Sequence, residues 1–155
     1  MHPTPDSADD DGWREHLLES SAQIRALLER TRRVAVLGIK TAASGQPAYY
    51  VAEYAQSAGL QIVPVPVYYP DATEILGEPV YRTVAAVPGD VDMVNVFRRP
   101  ADIPRHVDDI LAKRPASVWF QSGIRNDEAA EQLARAGIDV VQDRCLLVEL
   151  RRLGR

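Results

Sequence analysis

The residues best suited to holding a phosphate group lie in the segment Gly38–Gln46, directly after the apolar run Val34–Leu37. A glycine at this point permits a sharp turn, and backbone N–H groups ahead of a helix bind anions because the helix dipole is positive there. Lys40 adds a cation, and Thr41 and Ser44 add hydroxyl donors. The pattern favours phosphate binding, and an ordinary strand-to-helix connection is the alternative.

A second candidate is the pair Arg98-Arg99, which precedes Pro100 and follows another apolar run. Two adjacent guanidinium groups suit a phosphate-bearing ligand because they form charge-assisted, bidentate hydrogen bonds. The alternative is that one arginine pairs with Asp102 or Asp143 while solvent covers the other. The sequence does not distinguish Arg98 from Arg99 as the binding residue.

The segment Gln121–Arg125 is a third polar candidate, and it follows the run Ser117–Phe120. Its side chains could reach a nucleotide base or a ligand amide. The alternative is a simple turn into a helix that Asn126 caps. The permissive Gly123 is compatible with either interpretation.

The sequence lacks the common nucleotide motifs and any catalytic constellation. The NAD fingerprint needs G-x-G-x-x-G and an acidic residue about 20 positions later. Here the loop reads Gly38-Ile-Lys-Thr-Ala-Ala-Ser-Gly45, the segment Val65–Tyr68 holds no carboxylate, and no Gly-Lys-Ser/Thr occurs. Three scattered histidines and the single Cys145 give no zinc spacing and no internal disulfide. We therefore predict neither catalytic residues nor a metal site.

The placement of charge narrows the possible partners. The net charge is −4, and the four acidic residues of the first twelve positions, Asp6 and Asp9–Asp11, account for it. We expect residues 1–12 to form a disordered acidic tail and the neutral remainder to give no field for nucleic acid. No apolar run approaches the roughly 20 residues that span a membrane, and the start does not resemble a secretory signal. A cytoplasmic protein is the expectation.

The three candidate segments lie between predicted strands and helices that alternate along the chain. Strands are predicted at Arg33–Gly38, Gln61–Val65, Asp92–Phe97, Ser117–Phe120 and Asp139–Gln142. Helices are predicted at Trp13–Arg33, Pro47–Ala58, Asp102–Arg114, from Asn126 to Gly137, and at Leu146–Leu153. This order predicts one α/β domain over residues 13–155, a Rossmann-like three-layer sandwich with a five-stranded, mainly parallel sheet. In such a sheet the ligand crevice lies at the carboxyl ends of the strands, where all three polar candidates fall.

Several short segments in this order resemble a known family. They are Val34–Gly38, Pro47–Tyr54, Val63–Val65, Ile75–Gly77, Val80-Tyr81, Val94–Pro100, Trp119–Ile124 and Asp143–Leu146. Together they cover about three quarters of the chain and resemble the stand-alone CoA-binding domains, which are related to the CoA-binding domain of the succinyl-CoA synthetase α-subunit.

The resemblance implies coenzyme A as the cofactor and assigns residues to it. The phosphate loop would comprise Gly38, Ile39, Lys40, Thr41, Ser44 and Gly45. The adenosine would be bordered by Val65 and Pro66, and the opposite wall would be formed by Phe97, Arg98, Arg99, Pro100, Phe120, Gln121 and Ser122. Relatives often follow the second strand with Pro-Asn-Pro and a nearby lysine, whereas this chain has Pro66–Pro70 without a lysine. The phosphates would therefore be bound by Lys40 or the arginines.

The sequence thus predicts a module that binds CoA or acyl-CoA and has no catalytic residues of its own. One alternative is an NAD(P)-type dinucleotide-binding redox or regulatory domain. Another is the CoA-binding subunit of a two-chain acyl-CoA ligase or transferase, because the phospho-histidine domain of the synthetase is missing here. A homo-oligomer or a partner enzyme is compatible with each of these.

Overall fold

The computed structural model describes residues 12–155, and its centre is a sheet of five parallel strands. The strands are β1 (Arg33–Leu37), β2 (Gln61–Val65), β5 (Met93–Val96), β6 (Ser117–Phe120) and β7 (Asp139–Val141). They lie in the order β2-β1-β5-β6-β7, and every pair of neighbours runs parallel. The short strands β3 (Glu74–Ile75) and β4 (Glu78–Pro79) form a separate antiparallel pair.

Helices cover both faces of this sheet. They are α1 (Ser21–Glu29), α2 (Pro47–Ser57), α3 (Pro104–Lys113), α4 (Asp127–Arg135) and α5 (Leu146–Arg152). The apolar residues of α1, α2 and α5 pack together on one face, and those of α3 and α4 pack on the other. The predicted Rossmann-like α/β sandwich is therefore confirmed. None of the helices within residues 12–155 is long and apolar enough to cross a bilayer.

The predicted continuous helix over Trp13–Arg33 is wrong. A 3-10 turn spans Trp13–His16, after which Leu17 is extended and forms a parallel bridge with Val140 of β7. Helix α1 then starts anew, because Ser20 forms a capping box with Gln23. Pairing with the open edge of β7 outweighs the helical apolar spacing of this segment. The predicted acidic tail lies, apart from Gly12, outside the described residues.

Both outer edges of the sheet are shielded. The bridge at Leu17 covers part of β7, and the Tyr81 N–H donates to the Pro64 carbonyl of β2 at 3.0 Å. Pro64 itself offers no N–H group, which suits an edge strand. These contacts reduce the length of edge backbone that is open to another strand.

The strand order fixes where a ligand crevice must open. The chain moves from β1 outward to β2 and then returns to place β5 on the other side of β1. The two crossovers therefore leave β1 and β5 in opposite directions, and this topological switch point is where open α/β sheets bind ligands. The carboxyl ends that meet there are Leu37 and Val96, which are register partners.

Candidate functional site

Gly38 brings the ends of β1 and β5 into direct contact. Its φ is +87°, and a Cβ atom at this position would lie 2.3 Å from the Phe97 carbonyl oxygen. Its N–H donates to the Val65 carbonyl at 2.9 Å, so it also ties β1 to the end of β2. Only glycine fits both the conformation and the space, and the turn predicted here from sequence is present.

The loop after Gly38 leaves several backbone donors without a protein partner. Within residues 12–155, no acceptor is recorded for the N–H groups of Ile39, Thr41, Ala42 and Ala43. The loop contains a 3-10 turn at Ala42–Ser44 that ends at Gly45, and helix α2 starts at Pro47 directly afterwards. Such a loop at a helix N-terminus is suited to an anion.

The side chains of the same loop are also available. Lys40 is half-buried, and its ammonium group forms no ion pair or hydrogen bond with the rest of residues 12–155, while its backbone N–H donates to the Ala48 carbonyl at 3.1 Å. The Ser44 hydroxyl accepts a hydrogen bond from the Gln46 N–H at 3.2 Å, which shapes the turn and leaves its proton free to donate. The predicted phosphate loop is thus assembled as one continuous segment, whereas its contact with a ligand stays a prediction.

The structure separates the two arginines that the sequence could not tell apart. Arg98 is 8% exposed, while the side chain of Arg99 is 84% exposed. Arg98 packs against Gly38, with its Cδ atom 3.2 Å from where a Cβ would stand. Arg99 instead extends along the surface and donates to Asp102 at 2.9 Å. The alternative that one arginine pairs with Asp102 and the other is merely solvated does not hold, since the second one is buried.

Arg98 is held by His106, a residue that the sequence analysis did not place in the site. The Arg98 Nε–H donates to Nε2 of His106 at 3.1 Å, so this histidine nitrogen must be unprotonated. Burial lowers the pKa of His106, and the neighbouring Arg98 charge lowers it further. A neutral His106 therefore fixes the guanidinium group of Arg98 beside the switch point.

Three guanidinium groups converge on one carboxylate at this end of the sheet. Arg98, Arg99 and Arg105 share the single carboxylate of Asp102, at 3.8, 2.9 and 3.2 Å. The hydrogen bond from Arg99 lowers the pKa of Asp102, so this carboxyl stays ionised. One anion cannot neutralise three cations, and the arrangement is suited to an anionic ligand.

Gln121 anchors the other side of the crevice together with Asn95, which the sequence analysis also missed. The Gln121 Oε1 atom accepts from the Leu146 N–H and from Asn95 Nδ2, both at 3.3 Å. Within residues 12–155, the side-chain NH2 group of Gln121 donates to no acceptor, and the buried Asn95 Oδ1 accepts no hydrogen bond. An amide in the apolar strand Met93–Val96 is the signal that could have drawn attention to Asn95.

Other predicted site residues occupy different surroundings. The side chains of Val65 and Phe120 are fully buried in the core, so only their backbone groups reach the sheet edge. Phe97 is half-buried against the core, and Pro66 lines a cleft next to it. Pro100 and Ser122 are exposed, and the Pro100 carbonyl accepts from the Asn126 side chain at 2.9 Å.

A cleft of about 410 Å³ opens beside these groups on the α3 side of the sheet. Its walls combine the ends of β1 and β2 with the start of α3, and we call it the switch-point cleft. It is lined by Leu37, Pro66, Val67, Arg82, Thr83, Arg105, His106 and Asp109. No group of three His, Cys, Asp or Glu side chains that could hold a metal ion occurs in the described part of the chain.

Comparison with known proteins places this arrangement among relatives of similar size. The uncharacterized protein YneT of Bacillus subtilis (strain 168) is 33% identical over 129 residues, which are 83% of this chain and 93% of that protein. The structure of cell-free ID.343 from Thermus thermophilus has a TM-score of 0.79 and 39% identity, covering 87% of this chain and 99% of that chain. A hypothetical protein from Pyrococcus horikoshii OT3 has a TM-score of 0.80 and 28% identity, covering 88% and 94%.

The parallel sheet, its switch point and the glycine turn between β1 and β5 define a Rossmann-like α/β domain. The family model of the CoA binding domain matches residues 32–151. The chain therefore belongs to the CoA-binding domain family, and the resemblance seen in the sequence is confirmed.

Proposed function

We propose that this protein is a CoA-binding module that holds CoA or acyl-CoA at the switch point. The observation that carries the proposal is the concentration of unpaired donors and positive charge between β1 and β5, in a chain of this family. CoA carries a pyrophosphate and a ribose 3′-phosphate. Residues 13–155 have no net charge, so such a ligand would be attracted only by local cations and hydrogen-bond donors. The backbone donors and arginines at the switch point are groups of this kind.

In this proposal, two separate sets of groups bind the phosphates of CoA. The free N–H groups of the loop at Ile39–Ala43, with Lys40, receive the pyrophosphate. Arg98 and Arg99 receive the remaining phosphate, because their charge exceeds what Asp102 neutralises. The side-chain NH2 group of Gln121 donates to a carbonyl oxygen of the pantetheine arm.

The module has no catalytic residues in this proposal. The Nε2 atom of His106 accepts a hydrogen bond from Arg98 and is therefore not free to act as a base. His16 is paired with Asp139 at 2.7 Å on another part of the surface. Chemistry on an acyl group would come from a partner enzyme. The proposed compartment is the cytoplasm, because a chain with one cysteine forms no internal disulfide and disulfides are rare in cytosolic proteins.

A dinucleotide such as NAD is a weaker candidate for the same crevice. Rossmann domains that bind NAD hold the ribose hydroxyls with a carboxylate at the end of the second strand. Here Val67 and Tyr68 occupy that end, and both are exposed. The ribose hydroxyls would have no acidic partner there.

Melting temperature in the presence of each ligand tests the proposal. A ligand that binds only the folded state stabilises it by about 2.7 kcal/mol at a hundredfold excess over Kd. For a chain of this size we expect CoA at that excess to raise the melting temperature by roughly 5–10 °C. NAD at equal concentration serves as the control and should give a much smaller shift. An equal or larger shift with NAD, or none with CoA, would overturn the proposal.

A further inference from the structure

Tyr68 is the most exposed of the large hydrophobic side chains in residues 12–155, at 58%. It lies three residues beyond the end of β2, at the carboxyl edge of the sheet and next to Val67 of the switch-point cleft. A large apolar ring in this position has no structural role in the core. Its place beside the cleft makes it a candidate for ligand contact.

The ring of Tyr68 is supported from one side by a fixed cation. The guanidinium carbon of Arg98 lies 5.9 Å from the ring centroid, which is within the range of a cation–π contact. Arg98 is itself buried and held by His106. The cation beside the ring is thus anchored in the protein interior.

The loop that carries Tyr68 is held by one side chain. The Arg82 guanidinium donates to the carbonyl oxygens of Tyr69 at 2.9 Å and Ala72 at 2.7 Å, with longer contacts to Tyr68 and Pro70 at 3.3 Å. A loop held in this way loses little further conformational entropy when a ligand binds.

We propose that the Tyr68 ring is the platform on which the adenine base of the bound nucleotide stacks. This inference rests on the proposed CoA binding. The loop after β1 would hold the pyrophosphate, and the nucleoside of a ligand so bound reaches the end of β2 in Rossmann domains. The five residues after β2, Pro66–Pro70, hold no carboxylate for the ribose, so we expect an aromatic contact to the base to bind the adenosine instead.

The other tyrosines fit this role less well. The Tyr49 ring is partly buried against the core, and its hydroxyl lies 3.5 Å from Glu53. Tyr50 is 46% exposed, but it lies on helix α2, and none of the cations in residues 12–155 lies over its ring. Tyr50 therefore provides a matched control for the removal of an exposed tyrosine.

Calorimetric titration of CoA into paired variants tests the stacking. Base–aromatic stacking corresponds to a loss of about 5- to 100-fold in affinity when the ring is removed. We expect Tyr68→Phe and Tyr68→Trp to bind CoA within about threefold of the wild type, and Tyr68→Leu and Tyr68→Ala to fall in that range of loss. Phenylalanine and leucine are both apolar, so the contrast between them isolates the aromatic ring.

The outcomes separate this inference from the proposed function. If the wild type does not bind CoA, the proposed function fails and the stacking fails with it. If the wild type binds and Tyr68→Leu binds equally well, or if Tyr50→Leu shows the larger loss, the stacking is wrong and CoA binding stands. Melting temperatures of all variants without ligand identify any loss that comes from unfolding, and Tyr68 is exposed enough for each variant to fold.

Discussion

Two clefts at the carboxyl side of the sheet differ in how fully the polar groups in and beside them are paired within the protein. The larger, of about 510 Å³, lies between the amino-terminal segment, helix α4 and the end of β7, and we call it the β7 cleft. Its arginines have protein partners: Arg125 pairs with Asp127 at 2.9 Å, which also accepts from Gln142 at 3.0 Å, and Arg144 donates to the Glu19 carbonyl at 2.9 Å. The one buried polar side-chain atom of its lining without a hydrogen-bond partner in residues 12–155 is the Trp13 indole nitrogen.

The switch-point cleft is smaller, and the groups beside it are less fully paired. Arg105 of its lining shares the Asp102 carboxylate with Arg98 and Arg99, and within residues 12–155 the loop after β1 keeps backbone donors without acceptors. A bound ligand gains most from groups that have no protein partner to give up. The comparison teaches that unpaired groups at a topological switch point, and not the volume of a cavity, mark the candidate site.

The largest effect is expected at the glycine that joins the two strands of the switch point. Gly38→Ala places a Cβ atom 2.3 Å from the Phe97 oxygen and requires a left-handed backbone. Strain and overpacking together should lower the free energy of unfolding by about 2–6 kcal/mol, as measured by urea denaturation.

A matched control for this substitution is Gly45→Ala in the same loop. Gly45 also has a positive φ, +61°, but a Cβ atom there meets nothing within 4 Å. We expect it to cost about 1–2 kcal/mol, from backbone strain alone. Equal losses for the two variants would show that the close approach of β1 and β5 does not constrain residue 38.

The next effect concerns the arginines at the switch point. A hydrogen bond to a charged group contributes roughly 1.5–3 kcal/mol, so losing one weakens binding about 10- to 100-fold. We expect Arg98→Ala or Arg99→Ala to lower CoA affinity by that factor in calorimetry, with the larger loss at the pre-ordered Arg98. Unchanged affinity in both variants would move the test to Lys40.

A smaller effect follows from the protonation of His106. Its pKa in the folded protein lies below the usual value of about 6.5, because burial and Arg98 disfavour the charged form. The folded state then binds fewer protons than the unfolded state in this range, and stability rises with pH. The contribution is fully present above about pH 6.5 and is lost as the pH falls through the lower, folded pKa.

Melting temperatures between pH 5 and 7.5 measure this contribution. We expect the wild type to lose stability toward acid, and His106→Gln to show a shallower slope because glutamine can accept the Arg98 hydrogen bond without titrating. The same slope in both proteins would mean that His106 does not carry the effect.

The smallest effect is expected in the β7 cleft, and it is the sharpest check on the comparison. Arg144 also follows a strand end, but its donors go to Glu19 and Glu149. We expect Arg144→Ala to change CoA affinity by less than about twofold, since an arginine that is already paired is not needed by the ligand. A loss as large as that of Arg98→Ala would place the ligand in the larger cleft instead.

Local patterns in the sequence were enough for most of the elements. Ser117–Phe120 is a strand as predicted, and Asn126 caps helix α4 by accepting the Ala129 N–H at 3.0 Å. The glycine turn at Gly38 was predictable for the same reason, because a strand followed by glycine and a helix start is encoded by neighbouring residues.

The candidate site was predictable only in part. The loop at Gly38 and the two arginines stood out because their residue types are uncommon beside apolar strands. His106 and Asn95 could not be placed, because each acquires a role in the site only through a partner that the fold brings to it. His106 supports Arg98 from the next helix, and Asn95 of β5 contacts Gln121 at the end of the neighbouring strand β6.

Three features follow from the sequence without the fold: the alternation of strands and helices, the zero net charge of residues 13–155 and the glycine turn. Each depends on periodicity, composition or adjacent residues. Tertiary structure alone decided the strand order, the break of the first helix at Leu17 and the burial of Arg98 beside the exposed Arg99. These depend on contacts between residues far apart in the chain. Such contacts override local preference because they bury surface and satisfy hydrogen bonds that no neighbouring residue can reach.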